Sequence, residues 1–131
     1  MLAFVRALER GDSAALAVLA LDRAEFAWLY YPTSREALPP YDLDPGLMWF
    51  LLEGRSRQGL AHLLEERGGR PLRYLGHTCE EAPRQEGANT VWAPCVVARL
   101  QAPGDTVVER LFGAIVERRG TSKFVSYANS L

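Results

Sequence analysis

The sequence predicts one α+β domain over residues 1–131, with N-terminal helices in 1–69 packed on a curved four-stranded antiparallel sheet in 70–131. Three observations carry this. Apolar residues recur at helical spacing as far as Gly68-Gly69 and take on strand character beyond it. Between Asp105 and Asn129 two β-rich runs, Val107–Val116 and Phe124–Tyr127, flank Arg119-Gly120, a natural tight turn because Gly takes φ > 0 without steric cost. A chain of 131 residues can bury one hydrophobic core but not two.

In chain order, Leu2, Val5 and Leu8 face inward from a first helix, with Arg6, Glu9 and Arg10 opposite, and Gly11 ends it. Asp12 caps a second segment whose inward positions are Leu16 and Leu19. Asp22-Arg23-Ala24-Glu25 has capping-box spacing and opens a helix with Phe26, Leu29 and Tyr30 on one face, stopped by Pro32. Thr33 to Asp42, stiffened by Pro39-Pro40, is a structured loop. Asp44-Pro45 starts another helix. Leu47, Phe50 and Leu51 form one inward stripe of it and Leu60, Leu63 and Leu64 a second; Gly54 and Ser56 between them bend or break it.

Pro71–Cys79 and Thr90–Leu100 form the first strand pair, joined by a polar loop from Glu80 to Ala88. Pro94 cannot donate a ladder hydrogen bond and requires a bulge or an edge. Pro103–Asp105 turns into the long hairpin, the central ribbon of the sheet. A two-residue loop sets Arg118 opposite Thr121, Val116 opposite Lys123, Ala114 opposite Val125 and Phe112 opposite Tyr127. The other face carries Glu109, Leu111, Gly113 and Ile115 against Ala128, Ser126, Phe124 and Ser122. Leu111 to Val116 is apolar apart from Gly113, as in a strand covered on both sides. Charges collect at the ends, Glu109 and Arg110 at one and Glu117, Arg118, Arg119 and Lys123 at the turn.

An apolar fraction of 48% and a charged fraction of 24% fit a soluble globular protein, and a net charge of −1 leaves no footprint for nucleic acid or an anionic membrane. Fourteen of the fifteen cations are Arg, but they are scattered, which reads as solvated faces. No run approaches the roughly 20 apolar residues of a membrane span. Leu2–Leu21 is interrupted by Arg6, Glu9, Arg10, Gly11 and Asp12 and is not a signal peptide. Cys79 and Cys95 stand sixteen positions apart with no zinc-ligand pattern. Two buried thiols and a disulfide both fit. The polar loop between them favours the bridge, worth roughly 3 kcal/mol for a loop of that size. A bridge would imply an extracytoplasmic protein whose leader has been removed, and two thiols a cytoplasmic one.

The opening Ala7-Leu8-Glu9-Arg10-Gly11-Asp12, followed by Ala15-Leu16 and Leu19, resembles the start of nuclear transport factor 2-like (SnoaL-like) domains. The closing run from Ile115 to Tyr127, a strand, a Gly turn and a strand ending Lys-Phe-x-Ser-Tyr, resembles the family's last hairpin. Asp22 to Gly68 holds more helix than a minimal member. The resemblance implies a cone-like roll whose concave face forms a pocket. Some members use an Asp/His acid–base pair there as cyclases, isomerases or dehydratases, while others only bind or dimerise.

Acid–base chemistry needs a His or carboxylate in an apolar pocket with a partner. His62 lies among outward helix positions. His77, after Gly76, is the weak catalytic candidate, since the Asp residues fall at caps or loops (Asp12, Asp22, Asp42, Asp44, Asp105). Ser126 and Ser130 have no neighbouring base, and neither a nucleophile elbow nor a phosphate loop occurs. Arg110 beside Phe112 and Tyr127 would make an anion-recognising corner, and Tyr30, Trp49 and Trp92 could line an apolar pocket. Ordinary core and strand-end charges are the competing explanation. The expected function is thus a small ligand-binding or protein-interaction domain without catalysis or cofactor. Its ligand would be apolar or anionic, and the sheet's outer face would serve for homodimerisation. An acid–base enzyme is the alternative, and the content of the cone decides between them.

Overall fold

Helix α1 (Leu2–Arg10) buries Phe4, Val5, Ala7 and Leu8 in the computed structural model, which describes residues 1–128. The expectations placed on Asn129 and Ser130 lie outside the described residues. Leu2 is exposed rather than inward, because the buried stripe is centred on Phe4 and Leu8 and the first position falls on its far side. Gly11 closes α1 at φ +65, a left-handed cap. Asp12 Oδ1 accepts Ala15 N–H at 3.0 Å to start α2 (Ser13–Ala17). The capping box forms as read: Asp22 N–H donates to Glu25 Oε1 at 3.0 Å and Glu25 N–H to Asp22 Oδ1 at 2.8 Å, opening α3 (Arg23–Glu25). From Phe26 to Tyr30 the helix widens into a π-turn, and two 3-10 turns, Tyr31–Thr33 and Arg35–Ala37, build the loop that follows.

Helix α4 (Pro45–Arg67), capped by Asp44 Oδ2 on Leu47 N–H at 2.9 Å, runs unbroken through Gly54 and Ser56. Ser56 Oγ accepts Tyr127 N–H at 3.0 Å, tying the middle of the helix to the end of the sheet. Its buried positions are Met48, Gly59 and Leu63. Extending the Leu60–Leu63–Leu64 stripe backwards at helical spacing reaches Gly59, Ser56, Leu52 and Met48. Leu47, Phe50 and Leu51 belong to another face and are exposed.

Among the described residues the expected four strands are seven short ones in two antiparallel sheets, with no closed barrel. They are β1 (Tyr74–Cys79), β2 (Arg84–Glu86), β3 (Asn89–Trp92), β4 (Cys95–Ala102), β5 (Asp105–Glu109), β6 (Ile115–Arg118) and β7 (Thr121–Phe124). One sheet has the order β1-β4-β5 and the other β2-β3-β6-β7. The expected strand Thr90–Leu100 divides at Pro94, whose missing N–H interrupts the ladder, and the expected strand Val107–Val116 divides over Arg110–Ala114. These divided arms still face each other at both ends. Val97 lies opposite Glu109 in one sheet and Trp92 opposite Ile115 in the other, five positions on one arm against six on its partner. The extra residue is accommodated where the ladder opens. Glu80–Ala88 is not wholly loop, because β2 turns at Gly87 (φ +64) to pair with β3.

Around Gly120 the register is Arg118–Thr121 and Val116–Lys123, continued by Val125 N–H to Ala114 O at 2.8 Å and by a Phe112–Tyr127 bridge. On the other face Ile115 stands opposite Phe124 rather than Ser122, and Gly113 beside Ser126. Leu19–Leu21 covers the free edge of β7, through Leu21 N–H to Phe124 O at 2.9 Å and Phe124 N–H to Leu19 O at 2.8 Å. Cys79 and Cys95, opposite each other on β1 and β4, form the expected disulfide, S–S 2.09 Å.

The core lies between α1, α4 and the sheets. Phe4 packs edge-on to Phe112 and Phe124, with centroids 5.6 and 5.3 Å away, and Phe112 stacks on Phe124 at 4.2 Å. Tyr127 completes the cluster, its hydroxyl donating to Leu16 O, and burial raises its pKa. Replacing Tyr127 by Phe removes the shorter of the two hydrogen bonds to the Leu16 carbonyl and leaves it the Leu19 N–H at 3.2 Å, so unfolding free energy should fall by about 1 kcal/mol with an unchanged urea m-value. A fall under about 0.5 kcal/mol would mean that the Leu19 N–H alone satisfies that carbonyl.

Candidate functional site

The residues singled out in the sequence do not converge on one cavity. Phe112 and Tyr127 are core. Arg110 is exposed, and it is Glu109, on the other face of the same strand, that turns inward. Arg99 grips its carboxylate at 2.9 and 2.8 Å, and Arg67 from the end of α4 adds a second hold. The hydrogen bonds from Arg99, then those from Arg67, lower the Glu109 pKa to about 2 against the opposing effect of burial. The structure thus replaces an expected Arg110 corner with a clamp between α4 and the sheet.

His77 shares a row with Val97 and Glu109, the row that faces the core, yet β1 is an edge strand and the ring stays exposed. Its Nδ1 lies 3.0 Å from the Tyr74 hydroxyl, whose pKa burial raises. Glu81 and Glu117 line the same depression, while the ring's hydrogen bond goes to Tyr74. Trp92 is half-buried there. His62 is exposed, as expected. Trp49 and Tyr30 belong to a second, smaller core around Phe26, with Trp49 5.3 Å from the Phe26 ring.

Tyr30 leads to the cleft with the most developed recognition chemistry. The π-turn Phe26–Tyr30 sets Leu29 and Tyr30 over the ends of β3, β6 and β7, enclosing about 320 Å³. Such widened turns recur at functional sites because they free a carbonyl from the helix ladder. Here the Leu29 carbonyl accepts from Asn89 Nδ2 at 2.7 Å and from Arg118 Nη1 at 3.3 Å, while Arg118 also reaches Asn89 Oδ1 at 3.5 Å. Asn89 is 1% exposed, so this amide anchors the guanidinium from below. Leu21, Leu29 and Val116 form an apolar floor. Arg118, Arg119 and Lys123 bring three positive charges to the wall, against one carboxylate, Glu25, paired to Lys123 at 2.8 Å. At the back, Tyr30 is buried and its pKa is raised, by burial first and then by Glu36 and Glu86. Glu86 Oε1 is buried without a hydrogen-bond partner. No family model matches the chain, and neither a curated protein nor a solved structure matches it.

Among the described residues no group of three or more His, Cys, Asp and Glu is placed to hold a metal, and no helix is long and apolar enough to cross a membrane. The sequence reading found Tyr30 but passed over Asn89, Glu25 and the turn cations as site residues. A signal existed in Glu117, Arg118, Arg119 and Lys123 crowding one turn. What made that turn one wall of a cleft, the π-turn packed beside it, has no sequence signature here.

Proposed function

We propose that this chain is a non-catalytic binding domain whose ligand is a small amphipathic anion, a carboxylate on an apolar body, held in the cleft between the π-turn and the β6–β7 hairpin. The observation that carries it is the convergence of Arg118, Arg119 and Lys123 on an apolar floor whose lining includes one carboxylate, Glu25, with Glu36 and Glu86 behind Tyr30. A guanidinium already oriented by Asn89 and the Leu29 carbonyl loses less freedom on gripping a carboxylate, which favours binding. The volume of about 320 Å³ sits at the small end of ligand pockets.

The fold proposal that accompanies it is a nuclear transport factor 2-like roll, the two sheets being halves of one strongly bent sheet. Supporting it are the facing arms on either side of Pro94 and the helices laid against them. In this roll the interior is filled by Phe4, Phe112, Phe124 and Tyr127, which favours binding at the rim over catalysis in the centre. The acid–base reading has less behind it, since His77 hydrogen-bonds a tyrosine hydroxyl rather than a carboxylate. The Cys79–Cys95 bridge suits an oxidising compartment.

Calorimetric titration with octanoate, octanol and octylammonium tests the ligand class. Octanoate should bind best, and more weakly as salt rises. Arg118→Ala should weaken it about 10-fold, the loss of one charge-assisted hydrogen bond. Equal binding of the alcohol and the acid, or an Arg118→Ala variant that binds octanoate unchanged, would remove the anion from the proposal.

A further inference from the structure

We propose that α4 carries a self-complementary docking face on which a second copy of this chain seats antiparallel. Leu47, Phe50 and Leu51 are 49, 70 and 42% exposed on one face of this helix, and Gly54 follows on the same face. A glycine inside a helix costs about 1 kcal/mol relative to Ala, and among the described residues this one has no packing reason, since none of them lies within 4 Å of where its Cβ would be. Gly59, on the same helix, is by contrast pressed against backbone.

The spacing of the four positions is symmetric: three, one, three. Two such helices run antiparallel about a two-fold axis between Phe50 and Leu51 therefore set Leu47 of each copy over Gly54 of the other, and Phe50 against Leu51. The missing side chain at Gly54 is the hole that receives Leu47. The charges agree with the same pairing. Asp42 and Asp44 stand before the stripe, and Arg55 and Arg57 just after it, Arg57 already 3.7 Å from Glu53, so antiparallel packing brings each acidic end beside an end where Arg55 is the cation not taken up by Glu53. A parallel pairing would set like beside like. Such a patch is smaller than the roughly 800 Å² per partner of a standard interface, so the dimer forms reversibly, with a dissociation constant on the order of 10–100 µM.

Sedimentation velocity of the 131-residue chain from about 5 to about 500 µM should show monomer giving way to dimer. Phe50→Glu should weaken the association at least about 10-fold without moving the thermal midpoint, because Phe50 contributes little to the monomer's core. Gly54→Leu should weaken it similarly while leaving the midpoint unchanged or higher, a combination that simple misfolding would not produce. A chain that stays monomeric at the highest concentration overturns the proposal. So does a dimer indifferent to both variants, or one dissolved instead by Val108→Glu on the outer face of the β1-β4-β5 sheet.

Discussion

Replacing Gly59 by Ala should lower the unfolding free energy by about 2–4 kcal/mol, although Ala is the better helix former. The added Cβ would lie 2.7 Å from the Ala128 carbonyl carbon and 2.8 Å from Tyr127 O, and closer still to Ala128 O. These are backbone atoms and cannot swing aside as a side-chain end would. Three attachments hold that segment in place: the Tyr127 hydroxyl on Leu16 O, Tyr127 N–H on Ser56 Oγ at 3.0 Å, and Ala128 N–H on Leu111 O at 3.3 Å. Either α4 lifts off or the last strand segment moves, and both loosen the packing around Tyr127 and Leu63. The gain from helix propensity, about 1 kcal/mol, is the smaller effect. Urea unfolding checks this, with Gly54→Ala as the internal contrast. The same substitution five residues earlier meets open space and should stabilise by about 0.5–1 kcal/mol. Equal effects at the two positions would show that α4 does not approach the last strand segment closely.

That contrast also marks where the sequence was readable. Features fixed by chemistry within a few residues came through: the capping box at Asp22, the cap at Asp44, the Gly11 terminus and, across Gly120, the Arg118–Thr121 and Val116–Lys123 pairs. The disulfide was legible as one of two options, because the strand pair that joins its halves could be read locally. What escaped depends on contacts between distant segments. Leu47, Phe50 and Leu51 have the periodicity of a buried face, and only the path of the last residues over Gly59 decides that α4 buries a different one. Pro94 reads locally as a bulge or an edge within one strand, whereas the strand ends there and the chain changes sheets, which depends on where β6 lies. The site suffered in the same way. Arg118 and Lys123 read as turn charges until Asn89, some 30 positions away, and a π-turn still more distant are brought beside them.

Glu109→Ala should cost about 2–3 kcal/mol at neutral pH and should alter how stability depends on acid. The Glu109 side chain is 18% exposed and those of Arg99 and Arg67 are 12 and 26% exposed, so all three ions are partly withdrawn from water. Removing the carboxylate takes from Arg99 the carboxylate it grips and leaves Arg67 its contacts with Glu66, the guanidinium groups then repelling each other at the point where α4 is tied to the β4–β5 pair. The size of the penalty follows from leaving partly buried charge unpaired, discounted for the water that still reaches it. The sign of the pH effect follows from the direction of the shift. Glu109 has a folded-state pKa of about 2, below its ordinary value of 4.5, so its contribution is fully present above about pH 4.5 and is lost as pH falls towards 2. With solvent screening allowed for, that contribution is about 1–2 kcal/mol. Unfolding free energy measured from pH 7 to pH 2 should therefore decline more steeply below pH 4.5 in the wild type than in Glu109→Ala, the two curves converging as the carboxylate is protonated. Parallel curves across that window would mean that the Arg99–Glu109–Arg67 contact is too open to water to hold the helix to the sheet.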